Sequence, residues 1–187
     1  LIHAMAGEEV ASGCVHADNV APALFGGLIL IRSYDPIDIV KIPTPKNLWS
    51  IVVLPEIIIN TREARKMLPS KISLKVAVAQ VGNLGGFTLG MTSNDYNLIS
   101  RSMVDLFAEP IREKLIPNYR LIKNSALENG AIGCGISGSG PSLFAFANSK
   151  QSAYTVGAAM KETFANSNIK SKVYCSPISV QPPLILD

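Results

Sequence analysis

Residues 130–147 read GAIGCGISGSGPSLFAFA, and this stretch decides the fold. Ile132, Cys134 and Ile136 fall on alternate positions, the period of two that marks a strand, so Ala131 to Ser137 is read as one. Ser142 to Ala147 is a second apolar strand. Between them, Ser137-Gly138-Ser139-Gly140-Pro141 gathers the residues that chain reversals favour, so the two strands form a pair joined by a short connection.

Working outward, a helical period over Ala153 to Ala165 and a strand over Lys172 to Val180 follow the pair. Upstream, Leu48 to Leu54 is an apolar, β-branched strand. Asn60 with Glu63 three residues later resembles a capping box, opening a helix that Pro69 ends. Ser73 to Leu89 and Tyr96 to Phe107 carry further helical periods, the first weakened by Gly82, Gly85, Gly86 and Gly90. Tyr119 to Leu127 is another, closed by Asn129-Gly130. This order predicts an α+β layered sandwich of ferredoxin-like type. Ahead of it stand the last turns of a helix stopping at Gly13, and a short helix from Asp18 or Asn19 to Leu24 that Gly26-Gly27 ends. Two strands follow, Leu28 to Arg32 and Ile37 to Ile42, around the turn Ser33-Tyr34-Asp35-Pro36. Pro43 and Pro45 bracket a stiff connector, which places a boundary near Thr44 and divides the chain into 1–46 and 47–187.

The chain has 187 residues, 48% of them apolar and 17% charged, a composition that builds a packed core and excludes intrinsic disorder. Its apolar runs are too short or too interrupted by glycine and proline to span a membrane. A net charge of +3 without blocks of like charge gives neither a nucleic-acid patch nor a polybasic membrane segment, which leaves a small molecule as the partner. Three widely spaced cysteines, Cys14, Cys134 and Cys175, with only two histidines, argue against a disulfide framework or structural zinc and fit a reducing cytoplasm.

Three clusters could carry chemistry. The glycine–serine loop over 137–140 is either a tight strand connection or a nest of backbone N–H groups for an anion. It is not a Walker loop, and it does not lead from a strand into a helix as a dinucleotide fingerprint must. In the segment from Gly7 to Pro22, Glu8 is either a solvated helix residue or a hard oxygen ligand for Mg²⁺. Asn19 is either a helix cap or a hydrogen-bonding partner for a substrate hydroxyl or amine. His16 and Asp18 lie near each other without the serine or cysteine pattern of a hydrolase. Arg65 and Arg112 could each grip a carboxylate bidentately, or be surface arginines, with Glu109 a neighbouring partner for Arg112. Arg65 follows Thr61 by one helical turn, so the two share a face.

Four segments in order, Gly7-Glu8 to Pro22 with its His16-Ala-Asp-Asn-Val-Ala-Pro22, Asn60-Thr-Arg-Glu-Ala-Arg65, Glu109-Pro-Ile-Arg112 with Leu115-Ile-Pro117, and Gly130 to Pro141, resemble the GHMP kinase family. Its members include galactokinase, homoserine kinase, mevalonate kinase and phosphomevalonate kinase, and the resemblance is to its homoserine-phosphorylating branch. It runs over essentially the whole chain. It implies that 47–187 is the family's C-terminal ferredoxin-like domain and that 1–46 is the tail of a ribosomal-protein-S5-like N-terminal domain. The activity implied is transfer of the ATP γ-phosphate to the hydroxyl of L-homoserine, giving O-phospho-L-homoserine for threonine biosynthesis, with ATP and Mg²⁺, in the cytoplasm and as a homodimer.

Carried over residue by residue, Glu8 would hold Mg²⁺ and Asn19 would orient the homoserine at the centre of catalysis. Arg65 and Arg112 would clamp its carboxylate, Gly138 would also contact the substrate, and Ser137, Gly138, Ser139 and Gly140 would line the phosphates. Some relatives place an aspartate base where this chain has Asn19, whose amide takes no proton at neutral pH. The family's ATP loop, P-x-x-x-G-L-G-S-S, is not in this sequence. The chain is therefore expected to be the C-terminal portion of a longer kinase and to turn over poorly alone. Two other readings stand beside this one: a different small-molecule kinase of the family, and a non-catalytic amino-acid-binding module.

Overall fold

The computed structural model describes residues 1–12 and 16–184; the expected helix stop at Gly13 and the thiol of Cys14 lie outside them. The chain divides into two compact units, Leu1–Pro45 with Ile178–Asp187, and Lys46–Pro177.

In the first unit, α1 (Ile2–Ser12) and α2 (Val20–Phe25) precede an antiparallel hairpin of β1 (Leu28–Tyr34) and β2 (Ile37–Ile42). Met5, Ala17 and Ala21 are buried, with Ile29, Ile31 and Ile37 packed against them. At Gly26 a Cβ would lie 2.4 Å from the carbonyl oxygen of Gln181, so only glycine lets residues 178–184 run alongside. The amide of Gly27 donates to Ser179 O at 2.6 Å, and Lys41 Nζ donates to the carbonyls of Phe25 and Val180. This segment thus joins the first unit, whereas the sequence reading continued the last strand to Val180. The strand ends earlier because its neighbour does: Trp49, the first residue of that neighbour, already pairs with Pro177.

The second unit begins with β3 (Trp49–Pro55). Helices α3 (Thr61–Lys66), α4 (Leu74–Ser93), α5 (Tyr96–Ser102) and α6 (Glu109–Arg112) follow, then a 3-10 turn over Glu113–Leu115. After α7 (Tyr119–Glu128) come β4 (Gly133–Ile136), β5 (Leu143–Ala147), α8 (Lys150–Ala165) and β6 (Ser171–Pro177). The sheet order is β4-β5-β3-β6, antiparallel throughout, which is the ferredoxin-like topology read from the sequence. One face of the sheet presents Ile51, Val53, Cys134, Leu143 and Ala145. Against it α7 packs Ile122 and Ala126, and α8 packs Ala153, Val156, Met160 and Phe164, all buried. Each large apolar side chain buried there contributes about 1.5–3 kcal/mol.

Propensity and tertiary contact disagree along α4, and contact wins. The helix runs unbroken through four glycines and closes on Asn94 in the left-handed region. Glycine costs a helix about 1 kcal/mol against alanine. Two of these four are places where another element comes too near for a side chain. A Cβ on Gly90 would sit 2.9 Å from the Ile99 amide nitrogen, and one on Gly86 would sit 2.4 Å from Ser102 Oγ. Helix α5 ends at Ser102 rather than Phe107, because Asp105 turns the chain: its carboxylate accepts from the amides of Phe107, Ala108 and Glu109. The resulting α6 is four residues long, too short for any periodicity, and the sequence reading did not foresee it.

Gly157, inside α8, tests whether contact outranks propensity. A Cβ there would lie 2.8 Å from Val173 Cγ1 and 3.2 Å from Cys175 Sγ, whereas one on Gly82 would meet nothing within 4 Å. Gly157→Ala is expected to destabilise the fold by about 1–3 kcal/mol through overpacking, and Gly82→Ala to stabilise it by up to about 1 kcal/mol. Urea denaturation of both variants measures the contrast.

Candidate functional site

The loop between β4 and β5 is built on two glycines in the left-handed region, Gly138 at φ +56° and Gly140 at φ +80°. Ser137 N donates to Ser142 O at 2.8 Å and Gly140 N to Ser137 O at 2.9 Å, which closes the turn. The amides of Gly138 and Ser139 have no acceptor among the described residues. Beside Gly140, Ile116, Ile59 and Ile136 pack closely: an added Cβ would stand 3.2 Å from Ile116 Cδ1, a tight contact, and the positive φ would strain any side chain there.

Two further elements meet this loop. Asn60 caps α3 by accepting from the amides of Arg62 and Glu63, as its position before Glu63 predicted. The next residue, Thr61, sets its hydroxyl 3.2 Å from Ser139 Oγ. Arg65 is one turn further along α3, exposed, and its side chain makes no hydrogen bond or ion pair among the described residues. From α6, Arg112 Nη1 donates to Gly138 O at 2.7 Å, while its Nε is buried without a partner. A planar trans peptide points its C=O and N–H in opposite directions. The Gly138–Ser139 peptide therefore gives its carbonyl to Arg112 and turns the Ser139 N–H to the other side. The guanidinium and the free amide thus lie on opposite sides of a single peptide.

Beneath Arg112 lies a layer of ion pairs. Glu109 Oε1 takes Lys123 Nζ at 2.5 Å, and Glu113 is held bidentately by Arg120, at 3.0 and 2.6 Å. The hydrogen bond from Arg120 holds the Glu113 carboxyl below the usual carboxylate range, with burial opposing it. Lys123 also stands 5.8 Å over the ring of Tyr119, whose phenol burial pushes up, aided by the negative charge of Glu109. Burial likewise raises the Cys134 thiol to about 12. The alternative in which Glu109 partners Arg112 is not the arrangement found. The sequence reading singled out neither Lys123 nor Arg120.

In the first unit, Glu8 lies on α1 and is half-buried. Asn19 occupies the N-cap position of α2 but makes no capping hydrogen bond, so its exposed amide is not consumed by helix capping. His16 Nε2 is buried without a partner. Among the described residues no three His, Cys, Asp or Glu side chains gather as a metal cluster. Mg²⁺ bound to a nucleotide takes only one or two carboxylates, so a single glutamate such as Glu8 fits that chemistry in kind. No helix among the described residues is long and apolar enough to cross a membrane.

Residues 86–166 match the family described as GHMP kinases C terminal. The curated relatives to which the chain is similar are homoserine kinases. The enzyme of Chlorobium phaeobacteroides (strain BS1) is 49% identical over 95% of this chain and 56% of its own length. That of Chlorobaculum tepidum is 47% identical over 100% of this chain and 58% of its own. The crystal structure of homoserine kinase from Cytophaga hutchinsonii superposes with a TM-score of 0.95 at 50% identity, covering 98% of this chain and 58% of that one. The Leishmania major mevalonate kinase, at 16% identity and a TM-score of 0.62, shares the fold alone.

The raised Cys134 pKa of about 12 leaves roughly one thiol in ten thousand ionised at pH 8, and only the thiolate alkylates. Iodoacetamide at pH 8, followed by peptide mapping, is expected to leave Cys134 unmodified in the folded protein and to modify it once urea unfolds the chain. Modification of Cys134 in the folded state would contradict the buried placement of β4 beneath the site.

Proposed function

We propose that this chain supplies the substrate-carboxylate side of a kinase that transfers the ATP γ-phosphate to the hydroxyl of L-homoserine. The observation that carries the reading is the Gly138–Ser139 peptide, with a guanidinium on its carbonyl side and a free N–H on the other. Phosphorylating a small amino acid requires both groups: one for a fixed carboxylate, one for a phosphate. The homoserine kinases to which the chain is similar give the acceptor. Because this chain spans 56% and 58% of the length of the two curated relatives cited, the activity is assigned to the complete gene product.

In that reading Arg112 and Arg65 receive the substrate carboxylate, and Asn19 hydrogen-bonds the amino or hydroxyl group and orients it. Ser137 to Gly140 border the phosphates, with Thr61 fixing Ser139 from below. The hydroxyl oxygen of homoserine forms a bond to the γ-phosphorus while the bond to the β-phosphate oxygen breaks, and ADP leaves with that electron pair. The hydroxyl proton passes to solvent or phosphate oxygen, since Asn19 cannot accept it. Phosphoryl transfer tolerates this because its loose transition state asks chiefly for positioning and charge neutralisation. Glu8 would hold Mg²⁺, which would supply charge neutralisation on the phosphates.

The complete gene product is expected to release ADP in the presence of L-homoserine and not of mevalonate. Arg112→Ala is expected to raise KM for homoserine about 10- to 150-fold, the loss of a charge-assisted hydrogen bond of about 1.5–3 kcal/mol. Tight homoserine binding with no ADP release in any preparation would point instead to a binding module, and an unchanged KM in Arg112→Ala would remove the carboxylate clamp.

A further inference from the structure

Glu109 and Arg112 stand three residues apart on α6, the spacing at which opposite charges on a helix pair with each other. In this structure they do not. Among the described residues Arg112 makes no ion pair, and the Glu109 carboxylate is taken by Lys123 of α7. Both side chains of that pair are mostly buried, at 16% exposed for Glu109 and 22% for Lys123. A carboxylate so placed needs a cation, and if Lys123 were absent the next one along the helix is Arg112.

Packing would not prevent that exchange. Helix α6 is a single turn with no buried residue. Glu109 also lines a cavity of about 270 Å³ together with Met103, Cys134 and Phe144, so its side chain has space in which to move.

We propose that Lys123 is a positioning residue. By holding Glu109, it keeps the Arg112 guanidinium open to the substrate carboxylate. The inference rests on the reading above that Arg112 receives that carboxylate. It distinguishes Lys123 from Arg120, whose pair with Glu113 has the same form but whose side chain is 80% exposed, so that water can replace it.

The test is steady-state kinetics of the complete gene product in four variants, with thermal melts to confirm folding. Lys123→Met is expected to raise KM for L-homoserine about 5-fold, the effect of one ion pair of roughly 1 kcal/mol competing for the guanidinium, with kcat and the KM for ATP unchanged. Adding Glu109→Gln to Lys123→Met removes the competitor and is expected to return KM to near its original value, a rescue that a merely structural lysine would not give. Lys123→Arg is expected to keep KM low, and Arg120→Met to leave it unaltered. If Lys123→Met does not fold, Lys123→Gln with and without Glu109→Gln makes the same comparison. An unchanged KM in the lysine variant, or no relief from Glu109→Gln, overturns the proposal. A parallel Arg112→Ala measurement keeps the two readings apart: if that variant alone leaves KM unaltered, the carboxylate clamp fails first.

Discussion

A helix of four residues, none of them fully buried, has little hydrophobic packing to place it, and the position of Arg112 therefore depends largely on polar contacts. At its N-terminal end, three amides donate to the Asp105 carboxylate. On its other flank, Glu109 and Glu113 reach two cations of α7. At its far end, Arg112 itself grips Gly138 O. A charged half-buried contact is worth little if solvent can replace it and much if it cannot, so the contacts least open to water govern the turn. That ranking puts the Glu109–Lys123 pair ahead of the Glu113–Arg120 pair, although the second has the better bidentate geometry.

These polar contacts have a firm base to act against. Helix α7 is fixed to the sheet by Ile122 and Ala126, and β4 and β5, which add Cys134, Leu143 and Ala145 to the same core, deliver the glycine loop. Rigid apolar packing thus carries an adjustable polar turn. The core sets where the loop emerges, and the positive-φ glycines set which way its peptides face. The ion pairs then decide whether the guanidinium is available. Gly157 shows the same dependence on close approach at the opposite end of the core, where α8 can lie on the sheet only if it carries no side chain at that point.

Much of this was legible in the amino acids. The alternation of Ile132, Cys134 and Ile136, the strand at Ile51 and Val53, and the capping pair Asn60 and Glu63 each state a local preference that the packed structure also satisfies, and from them the ferredoxin-like sheet follows. What the sequence hid falls into two kinds. Elements shorter than one helical period, such as α6, carry no periodic signal, and the glycines of α4 argued against a helix that α5 then made room for. The candidate site was legible as residue types, since Arg65, Arg112 and the glycine loop advertise anion recognition. Its electrostatic arrangement was not. Whether Glu109 would pair with Arg112 three residues away or with Lys123 fourteen residues away depends on how α6 and α7 meet, which no local pattern records.

Whether Arg112 is held open for a carboxylate is measured directly by a crystal structure of the complete gene product with L-homoserine bound. The substrate carboxylate is expected within about 2.7–2.9 Å of the Arg112 guanidinium, with Glu109 still on Lys123. A structure in which the carboxylate binds elsewhere while Arg112 is closed on Glu109 would contradict it.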